Sequence, residues 1–208
     1  MTGRLITLEG GEGVGKSTQA RLLHLRLQTR GVDAVVTREP GGTPGAEAVR
    51  ALLLGGAEDR WTPATEALLV AAARADHVAR LIRPALDSDK WVICDRFIDS
   101  TLAYQGGAGG VDETALFALH DFATGGLRPD LTLILMLPPA EAAARAAIRD
   151  KGKPDRFGAR DAAFHAAVDA AFRRRLAVEP GRCRAIDASG MPEDVAARIA
   201  AMVEPLLG

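Results

Sequence analysis

Eight consecutive residues, Gly-Gly-Glu-Gly-Val-Gly-Lys-Ser at positions 10–17, constrain the fold of this chain more than any other stretch. They fit the pattern G-x-x-x-x-G-K-[S/T], in which glycines allow the tight turn that points backbone N–H groups at an anion. The run Leu5-Ile-Thr-Leu8 before them is β-rich and largely apolar, as in a buried parallel strand, and residues 16–30 show helical apolar spacing up to Gly31. An incidental glycine-rich turn is the alternative, but such a turn needs neither flanking element.

The loop therefore predicts binding of a nucleoside triphosphate. A helix that begins at the loop brings its positive dipole end to the phosphates, Lys16 can reach the outer phosphates, and the Ser17 hydroxyl can ligate Mg²⁺. With ATP as the nucleotide, the predicted binding residues are Gly10, Gly11, Glu12, Gly13, Val14, Gly15, Lys16, Ser17 and Thr18.

Strand and helix patterns alternate through the remaining sequence. Strands are predicted at 4–9, 33–38, 91–95, 131–137 and 183–187, and helices at 16–30, 44–54, 63–87, 112–124, 139–150, 160–178 and 192–206. Thr62 is a candidate N-cap, and Pro84 should kink the third helix or end it early. The pattern predicts an α/β fold with three α/β/α layers around a five-stranded parallel sheet, as in phosphate-loop NTPases, within one domain of residues 1–208.

Composition narrows the class of protein. The 208 residues carry a net charge of −1, which argues against a nucleic-acid or membrane surface, and neither a signal peptide nor a bilayer-length apolar stretch is visible. Cys94 and Cys183 lie in apolar runs and are expected to be buried free thiols of a reducing compartment. The four histidines lack metal-ligand spacing. A soluble cytoplasmic protein is expected.

Two segments depart from the regular pattern. Residues 106–110 are Gly-Gly-Ala-Gly-Gly, and residues 149–160 are basic and interrupted by Gly and Pro. Both suit mobile loops near a ligand, and the second suits a lid that closes over ATP. For residues 149–160 a solvated surface turn is the alternative, and an isolated charge run by itself favours it.

Charged residues follow two of the predicted strands. Arg38 ends the second strand, and Asp95-Arg96 ends the third. Because parallel strands present their carboxyl ends at one rim, these side chains should converge there with the phosphate loop. Asp95 can support Mg²⁺, and the two arginines can clamp a second phosphate group, whereas a local Asp95–Arg96 ion pair is the alternative. These parts suit a small kinase better than a motor or switch.

At this point the sequence resembles the thymidylate kinases, which transfer the γ-phosphate of ATP to dTMP. The resemblance runs from about residue 3 to the C-terminus. Besides the phosphate loop, it is carried by Thr37-Arg-Glu-Pro-Gly-Gly-Thr43, Ala73-Arg-Ala-Asp-His77, Asp95-Arg-Phe-Ile-Asp-Ser-Thr-Leu-Ala-Tyr-Gln-Gly-Gly107, Arg128-Pro-Asp-Leu-Thr-Leu133 and Asp155-Arg-Phe157.

The resemblance implies roles for individual residues. Arg38 and Arg96 would hold the dTMP phosphate, Arg74 would bond the thymine edge, and Tyr104 would pack where a ribose 2′-OH would project. Residues 187–190 would pass beside adenine. The implied dTMP-binding residues are Glu12, Arg38, Pro40, Val70, Arg74, Arg96, Ser100, Thr101, Tyr104 and Gln105; the implied catalytic residues are Lys16, Asp95, Arg96 and Arg149; and Ser17 and Asp95 would support Mg²⁺. Family members are usually homodimers.

The chain departs from relatives at several positions. One branch of the family carries a catalytic arginine inside the phosphate loop, where this chain has Gly13, and in the other branch the lid supplies the basic group. Arg149, Lys151 and Lys153 fit that second arrangement, and Arg149 is preferred because a planar guanidinium bridges two phosphate oxygens. Val70 stands where an aromatic residue usually stacks on thymine, and Gly158 stands where the lid often has an acid.

Two alternative functions remain open at this stage. One is a phosphate-loop kinase of another small acceptor, such as another nucleotide or a deoxynucleoside. A deoxynucleoside kinase needs a carboxylate base beside a 5′-OH, whereas Arg38 and Arg96 favour an acceptor that already carries phosphate. The other is a nucleotide-dependent binding protein such as a regulatory ATPase. Formation of dTDP from Mg-ATP and dTMP separates the three.

Overall fold

The computed structural model describes residues 2–207 and confirms the α/β prediction. Five parallel strands form one sheet in the order β2-β3-β1-β4-β5. The strands are β1 (Leu5–Glu9), β2 (Ala34–Arg38), β3 (Trp91–Asp95), β4 (Leu131–Met136) and β5 (Cys183–Asp187). The first strand is central, and its neighbours β3 and β4 lead away in opposite directions, so the sheet changes topology at the carboxyl end of β1.

The described part of the chain contains nine α-helices, of which α1–α8 lie between strands and α9 follows β5. They are α1 (Lys16–Thr29), α2 (Pro44–Leu54), α3 (Pro63–His77), α4 (Arg83–Asp87), α5 (Ile98–Thr101), α6 (Glu113–Thr124), α7 (Pro139–Asp150), α8 (Ala162–Val178) and α9 (Pro192–Val203). A short 3₁₀ turn, Glu204–Leu206, follows α9. As the sequence predicted, the Thr62 hydroxyl caps α3 by accepting the Thr65 N–H at 3.2 Å.

The two faces of the sheet bury different helices because neighbouring residues of a strand point to opposite sides. Ile6 and Leu8 of β1 pack with apolar residues of α1 and α9. Leu5 lies on the other face with residues of α3 and α6. A third apolar cluster joins α2, α3 and α8 to β4 and β5. The two cysteines are buried and free, as expected.

The structure refines two local predictions. The predicted helix 63–87 is interrupted before Pro84: α3 ends at His77, a π-helical segment, Val78–Ile82, follows, and α4 begins at Arg83. Pro84 therefore lies in the first turn of α4, where a missing N–H is tolerated. Residues 106–110 were predicted as a flexible loop, but Leu102–Ala108 is π-helical and packs on α8, where a Cβ atom at Gly107 would collide with Ala171.

Within residues 2–207, no helix combines the length and apolar composition needed to cross a lipid bilayer.

Candidate active site

The phosphate loop joins the central strand to α1. Gly10, Gly13 and Gly15 all have positive φ angles, which side chains on Cβ would strain. The loop ends where Lys16 begins α1, and the Lys16 ammonium donates to the carbonyl oxygens of Gly10 at 3.2 Å and Gly11 at 2.6 Å. Burial, together with the positive charge of Arg96, lowers the pKa of Lys16 to about 8. A buried cation is thus held by loop carbonyls beside an anion-binding turn.

Ser17 and Asp95 meet at the start of α1. The Ser17 hydroxyl donates to the Asp95 carboxylate at 2.5 Å, although the two residues come from different elements. Hydroxyl and carboxylate oxygens are the ligands that Mg²⁺ prefers, and this ion is usually bound by one or two protein groups plus substrate phosphates. Residues 2–207 contain no cluster of three His, Cys, Asp or Glu side chains that could hold a metal. The hydroxyl and carboxylate oxygens of this pair would suit a metal ion that arrives with a nucleotide.

Arg96 is held in place by several acceptors. Its backbone has a φ of 74° and its N–H donates to the Leu8 carbonyl at 3.0 Å. Its guanidinium donates to the Gly10 carbonyl at 3.0 Å, to Ser100 Oγ at 3.1 Å and to Glu12 at 2.6 Å. Arg96 therefore forms its ion pair with Glu12, and not with Asp95 as the alternative of a local pair would require.

The side chain of Glu9, at the end of β1, holds the turn that follows Arg96. It is fully buried and accepts the Phe97 N–H at 2.7 Å and the Ser100 hydroxyl at 2.5 Å. Burial, reinforced by the negative charge of Asp99, raises the pKa of Glu9 to about 8. The carboxyl group thus fixes the turn that carries Arg96.

Glu12 is shared by basic groups from two directions. Besides Arg96, the Arg149 guanidinium at the end of α7 donates to its carboxylate at 3.0 Å. Burial favours the neutral acid, but the charges of Arg96, Lys16 and Arg149 outweigh it and hold the pKa of Glu12 well below its usual range. The Tyr104 hydroxyl also donates to Glu12, at 3.3 Å. Glu12 is therefore ionised at neutral pH.

Arg74 lies in a buried polar cluster at the base of the cleft. Its Nε donates to Glu39 at 2.7 Å and its Nη2 to Thr101 Oγ1 at 2.9 Å. His77, one turn later on α3, bonds the other Glu39 oxygen at 3.1 Å. Burial opposes the Glu39 charge, but Arg74 and His77 outweigh it and lower the pKa of Glu39.

These groups open into one cleft of about 550 Å³. All ten residues predicted to bind the acceptor line it, namely Glu12, Arg38, Pro40, Val70, Arg74, Arg96, Ser100, Thr101, Tyr104 and Gln105. Lys16, Ser17, Thr18, Asp95 and Arg149 line the same cleft. The structure therefore brings the predicted donor and acceptor residues together.

Some predicted residues do not face the cleft. Gly10, Gly11 and Val14 contribute loop backbone or core packing, and residues 187–190 are not among its lining. This last loop connects to the cleft through Arg145, which lines the cleft and donates to the Ala188 carbonyl at 3.2 Å. Of the three basic lid candidates only Arg149 lines the cleft; Lys151 and Lys153 are exposed.

Sequence reasoning missed several lining residues. They are Glu39, Arg50, Leu53, Leu54, Phe97, Arg145, Asp150, Asp155 and Phe157. Glu39 stands next to a predicted arginine, and Phe157 belongs to the Asp-Arg-Phe motif, so both carried a signal. Leu53 and Leu54 look like ordinary core residues, and only the packing of α2 beside α3 places them at the cleft.

Gly13 explains how α7 approaches the loop. A Cβ atom at this position would collide with the Ala142 carbonyl oxygen and the Ala146 nitrogen of α7. A larger side chain would therefore push α7 away, and Arg149 with it. The absence of a side chain at Gly13 therefore lets α7 approach the loop closely enough to place Arg149 at the cleft.

Comparisons with known proteins agree with this geometry. The thymidylate kinase family model matches residues 8–199. A thymidylate kinase from Rhizorhabdus wittichii is 56% identical over 207 residues and 100% of both chains. One from Caulobacter vibrioides is 49% identical over 99% of this chain and 98% of its own. The crystal structure of thymidylate kinase from Ehrlichia chaffeensis covers 98% of this chain and 100% of its own, with a TM-score of 0.78 and 31% identity.

The family match spans the phosphate loop, the arginines of the cleft and the lid segment 149–160, and the similarity to relatives extends over the full chain. The chain therefore belongs to the thymidylate kinase family.

Proposed function

We propose that this chain transfers the γ-phosphoryl group of ATP to dTMP, giving dTDP and ADP. The observation that carries the proposal is the single cleft, with a phosphate loop at one end and Arg38, Arg74 and Arg96 at the other. Membership of the thymidylate kinase family supports it.

The donor end of the cleft would bind ATP. The Lys16 ammonium, now held by the carbonyls of Gly10 and Gly11, lies where it can turn to the outer phosphates. Ser17 and Asp95 would hold Mg²⁺, which supplies charge neutralisation for the bound phosphates. Residues 10–18 would supply the remaining contacts through backbone N–H groups.

The acceptor end would bind dTMP. Acceptors on Gly10, Glu12 and Ser100 already hold the Arg96 guanidinium. Arg38, paired with Glu47 at 2.8 Å and largely exposed, can move onto a phosphate group. Arg74 would face the thymine edge, with Pro40, Ser100, Thr101 and Gln105 around it. Burial of Arg74 against Glu39 fixes its direction before the ligand arrives.

In the reaction, a phosphate oxygen of dTMP attacks the γ-phosphorus of ATP, and the bond from that phosphorus to the β-phosphate bridging oxygen breaks. The attacking oxygen is already anionic, so no general base is required. The protein must position the two phosphates and neutralise the transferring group. Lys16, Arg96 and Arg149 surround this position and are proposed to do so.

The direct test is formation of dTDP from Mg-ATP and dTMP, measured by chromatography across a panel of nucleoside monophosphates and thymidine. We expect dTMP to be the best acceptor, dUMP to be weaker for lack of the methyl contact, and EDTA to abolish turnover. Equal or better turnover of AMP or CMP would contradict the substrate, and phosphorylation of thymidine alone would favour a deoxynucleoside kinase. ATP hydrolysis without transfer would favour a regulatory ATPase.

Tyr104 is proposed to exclude ribonucleotides. It is buried between Arg96, whose guanidinium lies 5.0 Å from the ring centroid, and Phe157, at a ring distance of 5.8 Å. Tyr104→Ala should open space for a 2′-OH and narrow the ratio of kcat/KM for dTMP over ribo-TMP. Tyr104→Phe keeps the ring and should keep the ratio. An unchanged ratio in the alanine variant would place the discrimination elsewhere in the pocket.

Val70 would pack an aliphatic side chain, rather than an aromatic ring, against one face of the thymine. It lines the cleft one helical turn before Arg74. An aromatic contact adds about 0.5–1.5 kcal/mol beyond buried area, so Val70→Phe should tighten dTMP binding by roughly 2- to 12-fold. Calorimetric titration decides this. Phe157 lines the same cleft and is the side chain that could already supply the ring. Unchanged affinity in Val70→Phe, with weaker binding in Phe157→Leu, would assign that role to Phe157.

The proposal includes a cytoplasmic homodimer, as family resemblance implies. Phe122 of α6 is 93% exposed, and Leu68 lies exposed on α3, which packs against α6. Side chains of this size are candidates for an interface between two copies. Light scattering of the wild type and of Phe122→Asp measures the state: a dimer that becomes a monomer supports the interface, and a monomeric wild type contradicts it.

A further inference from the structure

A buried carboxylate stands at the edge of the acceptor side of the cleft. Glu66, in the first turn of α3, is 2% exposed. One of its oxygens forms an ion pair with the Arg156 guanidinium at 2.6 Å and accepts a hydrogen bond from Arg160 at 2.9 Å. The other receives the Gln105 side-chain amide at 3.1 Å. Three segments distant in sequence therefore meet on one side chain.

The charges around Glu66 do not balance by themselves. Two guanidiniums face one carboxylate, and Arg156 is fully buried. Two backbone carbonyls supply further acceptors: the Arg156 guanidinium donates to the carbonyl oxygens of Leu53 and of Glu58, each at 2.9 Å. Removing the carboxylate would leave a buried guanidinium without its counter-ion, so these contacts depend on Glu66.

The cluster contacts the cleft at two points. Gln105 lines the cleft, and its amide is oriented by Glu66. Phe157 also lines the cleft and directly follows Arg156, so anchoring the arginine also positions the ring. Asp155 reinforces the turn by accepting the N–H groups of Phe157 and Gly158 at 3.0 and 2.9 Å.

The same contacts divide the lid segment. Residues 155–160 are fastened by the Asp155 turn and the two arginines, whereas Lys151 and Gly152 have positive φ and residues 151–154 are exposed. The sequence had grouped residues 149–160 as one mobile lid. Within the described part of the chain, residues 151–154 are held by the Lys153 N–H, which donates to the Asp150 carbonyl at 2.9 Å, and not by a buried ion pair. Their C-terminal end leads to Arg156, which is fixed at the wall of the acceptor pocket.

We propose that Glu66 is a positioning residue that orients Gln105 and Phe157 toward the acceptor and fastens the C-terminal end of the lid to that same wall. This rests on the proposed function in that the acceptor is dTMP. The buried Glu66 carboxylate would then fix both the side chains of the acceptor pocket and the turn 155–160, at which the exposed residues 151–154 end.

Limited trypsin digestion tests the anchor without any substrate. Lys151 is exposed and provides an internal reference site, the bond after Lys153 is resistant because Pro154 follows, and the bond after Arg156 is buried in the wild type. In Glu66→Gln, cleavage after Arg156 relative to cleavage after Lys151 should rise by about 10-fold or more, as local opening replaces protection. Mass spectrometry of the fragments measures this ratio, and global unfolding would instead release fragments across the whole chain.

Binding measurements test the positioning role. Glu66→Gln should weaken dTMP by about 2- to 12-fold, the worth of a hydrogen bond, while ATP affinity without acceptor stays within about twofold. Gln105→Ala should weaken dTMP similarly in the wild type and add little in the Glu66→Gln background. Glu204→Gln is the control, since Glu204 also pairs with two arginines, Arg26 and Arg30, on the exposed surface.

Arg156→Lys is a second test if Glu66→Gln does not fold. It retains the positive charge and the tryptic site, but lysine cannot replace the two guanidinium hydrogen bonds to the backbone carbonyls of Leu53 and Glu58. It should raise cleavage after position 156 and weaken dTMP. An unchanged cleavage ratio in both variants would overturn the anchor, and unchanged dTMP affinity would overturn the positioning role. A wild type that does not bind dTMP would refute the proposed function, while the digestion still tests the anchor.

Discussion

Replacing Arg149 by alanine is expected to lower kcat by about 10²- to 10³-fold with a smaller change in the KM for ATP. The side chain lines the cleft from the end of α7 and reaches Glu12 at 3.0 Å, next to Arg96 and Lys16. A preorganised charge at a transferring phosphoryl group is worth on the order of 3–4 kcal/mol, and it acts in the transition state more than in the ground state. Steady-state kinetics with Mg-ATP and dTMP measure both parameters.

Matched variants locate this effect. Arg173→Ala removes an exposed arginine that pairs with Asp169 within α8 and should leave kcat unchanged. Lys151→Ala and Lys153→Ala remove the two exposed lysines of the lid and should have smaller effects. Near-normal kcat in Arg149→Ala, with a large loss in one lysine variant, would move the role to that lysine.

Replacing Arg74 by methionine is expected to lower the free energy of unfolding by about 3–5 kcal/mol, because it removes one partner of a buried ion pair. Arg74 and Glu39 are both almost fully buried at a separation of 2.7 Å, and His77 would then be the remaining partner of the Glu39 carboxylate among residues 2–207. Urea unfolding at neutral pH, monitored by circular dichroism, measures the loss. The same variant should bind dTMP more weakly, since the proposed contact to thymine is gone.

Two further variants separate burial from charge. Arg4→Met breaks an exposed pair with Asp130 and should cost at most about 1 kcal/mol. Adding Glu39→Gln to Arg74→Met removes the stranded carboxylate and should recover part of the lost stability. A loss below about 1 kcal/mol in Arg74→Met would show that the pair contributes no more than one on the surface.

Local pattern was enough to predict the main architecture. The glycines at 10, 13 and 15, the apolar strand before them and the helix after them predicted the loop that the structure contains. Alternation of strands and helices predicted the parallel sheet, and parallel strands necessarily gather Arg38, Asp95 and Arg96 at one rim. These inferences hold because each depends on residues close in sequence or on a general rule of topology.

Pairing between distant side chains could not be predicted in this way. Nothing local to Glu12 indicates that Arg96 and Arg149 share it, and nothing local to Glu66 indicates that Arg156, Arg160 and Gln105 converge on it. The π-helical form of Leu102–Ala108 likewise depends on close packing against α8. The glycine content of this segment by itself predicted a flexible loop.

The sequence of this protein was therefore sufficient for the class of fold, the phosphate loop and the kind of reaction, because short motifs encode backbone shape and charge at fixed positions. The tertiary structure decided which charges neutralise one another, which part of the lid is anchored, and that Phe157 forms part of the pocket wall. The physical reason is that burial and helix packing set these distances between residues far apart in the chain, and no local period or motif records them.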